Sequence, residues 1–193
     1  MKTTLKERSL SKLFSEVLRT EAKARDLNAD DVARLLDLSR KVGEIESNNI
    51  PTRTQGDSAK GIGRGKYQFE GKAGSNAAKT AANRLLQWES KHKSLDLSKE
   101  ERTELRKNSP DFSKLSEDVQ DALFIINLSI ADGVPLTDIA KGNIDEKEAW
   151  IKYHWAGNEK QRPSKEQMWD KRFSQEAQLA KRANTAKTFP SAL

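Results

Sequence analysis

Residues Gly43 to Glu70 read GEIESNNIPTRTQGDSAKGIGRGKYQFE. An apolar-patterned segment runs into Ile45-Glu46-Ser47 and stops. Pro51, glycines 56, 61, 63 and 65, and several Ser, Thr and Asn residues follow. Such a composition breaks helices and makes loops or short hairpins. The stretch therefore predicts a helix end, then a polar glycine-rich loop or β-hairpin over about residues 50–70, then a return to helix.

Upstream, Val32, Leu35, Leu36, Leu38, Val42 and Ile45 recur at helical spacing and predict a helix over 29–46. Asn28 is its expected N-cap, with Asp30 and Asp31 in the first turn. Val42 and Ile45 share a stripe, which brings Glu46 beside it. Glu44 lies about 200° from Glu46 around the helix, so the two cannot serve one site. Before it, Leu5, Leu10, Leu13, Phe14, Val17 and Leu18 predict a first helix over 3–26.

Downstream, Ala77, Ala81, Leu85 and Trp88 mark a helix over 74–92 whose small residues admit a close neighbour. Residues 93–116, charged and containing Pro110, read as linker with short helical turns. Residues 116–131 hold the most apolar run, ALFIINL, and predict the central buried helix, with Ser116 in a capping position. Asp132-Gly133-Val134-Pro135 ends it. Shorter helices are expected at 136–140 and 147–155, and a last one at 164–184. The fold class is mainly α.

The Glu46-Ser47 pair, the turn Asn49-Ile50-Pro51, Ser58 ahead of Gly61, and Gly65-Lys66-Tyr67-Gln68 together resemble the signature of the lysozyme-like lytic transglycosylases. The likeness covers about 25 residues. It implies a lysozyme-like domain with its catalytic acid at a helix end. On that basis residues 1–27 are expected to be an N-terminal helical extension, 28–185 the catalytic domain, and 186–193 a flexible tail.

Cleaving a glycosidic bond needs a protonated carboxylic acid next to the leaving oxygen. Glu46 is the candidate, at a helix end beside Ile45. The resemblance implies a one-glutamate mechanism on the β-1,4 bond between N-acetylmuramic acid and N-acetylglucosamine. The glutamate protonates the leaving oxygen and then accepts the proton of the sugar's C6 hydroxyl, which leaves a 1,6-anhydro product. Asp57 is the possible second carboxylate for an inverting muramidase, in which the two acids stand about 6.5–9.5 Å apart. Ser47, Ser58, Gly65, Tyr67, Gln68 and Tyr153 are the expected substrate-binding residues. Glycine lets a sugar approach the backbone, and Gln68 offers both donor and acceptor. Tyr153 lies in the aromatic run Trp150 to Trp155, which suits either sugar stacking or core packing.

Composition narrows the field. The 193 residues contain no cysteine and only two histidines, His92 and His154. Disulfides and thiolate chemistry are excluded, and a histidine-rich metal centre with them. No metal or organic cofactor is expected. Gly61-Ile62-Gly63-Arg64-Gly65 lacks the Gly-Lys-Ser/Thr ending and the βαβ setting of a nucleotide loop. The net charge of +6 suits anionic partners, and carboxylated peptidoglycan strands are the expected one. Basic residues are dispersed, so nucleic acid is not expected. No apolar run reaches about 18 residues, the length of a membrane span. The N-terminal sequence lacks the apolar core of a secretory signal. The expectation is therefore a phage enzyme, virion-borne beside other virion proteins or an endolysin held in the host cytoplasm, acting at the cell wall. A basic, non-enzymatic virion or DNA-associated protein is the alternative of another class.

Overall fold

The computed structural model describes residues 12–57, 61–71, 77–92, 95–130, 135–155 and 159–187, by backbone alone at 55–57, 61–62, 70–71, 155 and 175–187. The chain divides into two compact units, 1–144 and 145–193. It is mainly helical.

Within the first unit, α1 (Lys12–Arg25) buries Phe14, Val17 and Leu18 and packs on α5 (Glu117–Ile130). Buried Glu21 accepts a hydrogen bond from Trp88 Nε1 at 2.8 Å and pairs with Arg25, whose Nη2 donates to Ser129 O at 3.2 Å. Thus α1 packs within the same compact unit as the helices that follow it. The expected beginning of this helix, residues 3–11, lies outside the described residues, as does the tail from 188.

Asn28 caps α2 (Ala29–Ser47) as its sequence predicts, its side chain accepting from the Asp30 and Asp31 amides while its own amide donates to the Asp31 carboxylate. Leu35, Leu38 and Val42 are buried at three- and four-residue spacing. The glycine-rich segment is an antiparallel three-stranded meander of β1 (Thr54–Asp57), β2 (Gly61–Arg64) and β3 (Phe69–Gly71), with Thr54 opposite Arg64 and Arg64 opposite Phe69.

Chain direction then returns to helix. On α3 (Ala77–His92), Ala78, Ala81, Ala82 and Leu85 are buried and the helix packs on α5. The expected linker contains α4 (Lys99–Arg106), closed by a Ser98–Glu101 capping box, and a 3₁₀ turn at Phe112–Lys114. Phe112 meets Phe69 edge-on at 5.5 Å, which ties the linker to β3. Ser116, just ahead of α5, is tied to α4. Its amide and hydroxyl both donate to Glu101 Oε1, at 3.1 and 2.7 Å. The short α6 (Leu136–Ala140) lies on α2, and Arg34 Nε donates to Ala140 O at 3.1 Å.

The second unit holds α7 (Glu146–Ala149), a π-helical segment Trp150–Trp155 and α8 (Arg162–Lys187). Asp145 caps α7 by accepting from the Glu148 amide. Trp150 is fully buried and stacks on Trp169 at 5.4 Å, and Trp169 meets Phe173 at 4.6 Å. Arg162 pairs with Glu148 and Glu166, and Lys147 with Asp170, around these rings. Among the described residues no helix is long and apolar enough to cross a membrane.

Candidate functional site at the end of α2

A helix stops where its backbone turns left-handed. Asn48 and Asn49 both do so, at φ 57° and 56°. Asparagine tolerates that region better than other residues with a side chain. The Asn48 amide bonds Glu44 O and the Asn49 amide bonds Gly43 O, each at 2.9 Å. These bonds satisfy carbonyls that the helix end would orphan. Glu46 sits half-buried in this last turn. Glu44 is taken by Arg40, whose Nη1 lies 3.2 Å from Glu44 Oε2.

Ser47 belongs to the helix terminus. It is buried, donates through Oγ to Gly43 O at 3.0 Å and accepts from the Ile50 amide at 3.2 Å. Both of its hydroxyl bonds are spent on the helix end.

Gly65 to Gln68 form the turn between β2 and β3. The Gly65 amide donates to Arg53 O at 2.8 Å. Gln68 Nε2 donates to the same carbonyl at 3.1 Å and to Gly65 O at 2.6 Å. Arg53 Nη1 in turn reaches Ser47 O at 3.4 Å. One residue therefore links the end of α2 to the turn. Gly65 is required by its own geometry. Its φ is 79°, and a Cβ there would lie 2.5 Å from Gln120 Oε1. Buried against Gln120, it offers no backbone approach to a sugar. Gln68 uses its donor group on backbone, and its buried Oε1 has no hydrogen-bond partner among the described residues.

Tyr67 lies inside the core. It is 1% exposed, stacks on Phe124 at 4.4 Å, and its hydroxyl lies 2.6 Å from both Ser39 Oγ and Asp121 Oδ1. Neither ring face nor hydroxyl remains for a ligand. Burial, then the Asp121 charge, pushes its pKa well above the ordinary 10.0.

The residues that organise this region lie on α5, and the motif reading missed them. Glu117, Gln120, Asp121 and Phe124 follow i, i+3, i+4, i+7 spacing and form one stripe. Gln120 is buried. Its Oε1 accepts the Lys66 amide at 2.6 Å, and its Nε2 donates to Pro51 O at 3.1 Å and Leu115 O at 3.0 Å. Lys66 Nζ lies 2.8 Å from Asp121 Oδ1 and 3.3 Å from Glu117 Oε1, with its side chain 8% exposed. It also stands 5.5 Å from the centre of the Tyr67 ring. Burial raises the Asp121 pKa from its ordinary 3.8, although Lys66 and the Tyr67 hydroxyl pull it down. A polar stripe opening the most apolar helix of the chain was the available signal.

Asp57 closes β1 opposite Gly61, and its side chain, like the whole of Ser58, lies outside the described residues. Tyr153 belongs to the second unit, half-buried, with Lys152 Nζ 5.4 Å from its ring centre. Among the described residues no group of three His, Asp or Glu side chains could hold a metal ion. No protein-family model matches this chain, and comparison with curated proteins and with solved structures returned no match.

Proposed function

We propose that the first unit is a lysozyme-like domain that cleaves the β-1,4 bond of peptidoglycan by a one-glutamate lytic transglycosylase reaction, with Glu46 as acid and then base. The observation that carries this reading is the tether through Arg53. Arg53 bonds the carbonyl of Ser47, the residue after Glu46, and its own carbonyl takes the Gly65 amide and Gln68 Nε2, so the end of α2 and the Gly65–Gln68 turn are joined through one residue. The half-buried position of Glu46 in the last turn, followed at once by a small sheet, is the placement that the resemblance implies for the acid.

In the reaction the C1–O4 bond breaks as Glu46 gives its proton to O4. The C6 hydroxyl then bonds to C1 and returns its proton to Glu46. No water is consumed, and the carboxyl ends as it began. Gln68 and Gly65 act by holding the turn, and Ser47 by ending the helix.

The test is digestion of purified peptidoglycan by wild type and Glu46→Gln, with mass spectrometry of the released muropeptides. The expected result is 1,6-anhydro-muramic acid products that vanish in the variant. Reducing-end products would assign hydrolysis and bring Asp57→Asn into the test as the second carboxylate. No products from several wall types, with steep salt-dependent DNA binding, would assign the chain to the non-enzymatic class.

A further inference from the structure

The last turn of α2 has to rest on something if Glu46 is to keep its place, and it rests on a lysine. Gly43 lies one turn before Glu46. A Cβ at Gly43 would meet Asn49 Oδ1 first, and would then stand 2.8 Å from Lys66 Cε and 3.1 Å from Lys66 Cγ. The carbonyl of Gly43 accepts both the Ser47 hydroxyl and the Asn49 amide. Gly43 is therefore the point where the helix terminus touches the Lys66 stem. The other end of that side chain is gripped by Asp121 and Glu117 of α5, and its amide by Gln120.

We infer that Lys66 is the positioning residue of the Glu46 site: its stem is the seat of the α2 terminus, and its ammonium locks that seat to α5. This rests on Glu46 being the acid. A buried ion pair alone is weak evidence for such a role, because it can be merely structural. What singles this one out is the missing side chain at Gly43, which lets the helix end come down on the lysine. A lysine exchanging freely with water would not define that height.

The test measures kcat and KM on soluble peptidoglycan strands with the full chain. The variants are Lys66→Met, which keeps the stem and removes the charge, and Gly43→Ala, which keeps every charge and lifts the helix off its seat. Leu85→Ala, in the α3 core, is the control for lost stability, compared where each variant is folded by circular dichroism. Small displacements of a reacting group cost up to about a hundredfold in rate. The expected result is a fall in kcat of roughly ten- to a hundredfold for Gly43→Ala and Lys66→Met, with KM within about twofold of wild type. Leu85→Ala should keep kcat. The inference is overturned if both site variants lose no more rate than Leu85→Ala while Glu46→Gln is dead. Full activity in Glu46→Gln, or none in wild type, would instead remove the reading of Glu46, and this inference with it. Where Lys66→Met does not fold, Gly43→Ala decides.

Discussion

Helix α5 has two faces, and they are built on opposite principles. Towards α1 and α3 it presents a packed apolar surface, opposite Val17, Leu18, Ala81 and Leu85 among others. Towards the Gly65–Gln68 turn it presents Glu117, Gln120 and Asp121, each with a bonded partner, and only then Phe124. The first face is held by burial, which is non-directional and tolerates imperfect angles. The second is held by directional bonds, which cost heavily when one partner is lost. The lesson is where precision is placed. The directional face meets the end of α2, where Glu46 sits, and the tolerant face meets the scaffold.

Five variants break or sharpen that contrast. Lys66→Met leaves two partly buried carboxylates without their cation, and should cost about 3–5 kcal/mol in urea unfolding. A loss under about 1 kcal/mol would put the pair among surface ion pairs and dissolve the contrast. Leu85→Ala opens a cavity on the apolar side and should cost about 2–5 kcal/mol. Its effect should spread evenly over pH, unlike that of the charged face.

Tyr67→Phe keeps the ring on Phe124 and removes the hydroxyl shared by Ser39 and Asp121, for a loss of about 1–3 kcal/mol. The phenol also sets an alkaline limb. Its folded pKa is raised, so the folded state holds the proton more tightly. Stability from this group is complete below pH 10.0 and falls as pH rises through the higher folded value. Tyr67→Phe should flatten that fall. The phenol of the wild type should resist ionisation in an ultraviolet titration until well above pH 10.0.

The smallest effect belongs to the outer edge of the scaffold. Burial pushes the Glu104 pKa up, but the Lys107 ammonium and the Asp111 amide hold it below its ordinary 4.5. The folded state therefore favours the carboxylate. Stability from it is present above pH 4.5 and is lost as pH falls through the lower folded value. Asp121 runs the other way. Its contribution is fullest below pH 3.8 and declines as pH rises through its raised folded value. Acid denaturation of Glu104→Gln should begin less steeply than in wild type, and that of Asp121→Asn should be steeper. Equal slopes in the three proteins would remove both assignments.

The helices were legible because burial has a period. Leu35, Leu38 and Val42 lie inside α2, and Ala78, Ala81, Ala82 and Leu85 inside α3, as their spacing requires. The Asn28 cap was legible because a cap is a local bond. The turn at Gly65–Gln68 could be read from glycine, but its purpose could not. Tyr67 looks like a ring offered to a ligand until Phe124, Ser39 and Asp121 surround it from distant parts of the chain. Ser47 looks like a polar group offered to a ligand until its hydroxyl is seen closing the helix. The division at residue 144 was not legible either, since no linker composition marks Ile144-Asp145.

By itself the sequence determined the local terms: apolar periods, caps, the break after Ser47, and a net charge of +6. Tertiary structure alone decided which polar groups are used up and which remain. Lys66, Gln120 and Asp121 are ordinary polar residues in the one-dimensional chain. They become a seat for α2 only when folding brings residues more than fifty positions apart within hydrogen-bond reach and removes the water between them. A helical period follows from the geometry of one helix. The partner of a buried polar group follows from which elements meet, and no single stretch of sequence carries that.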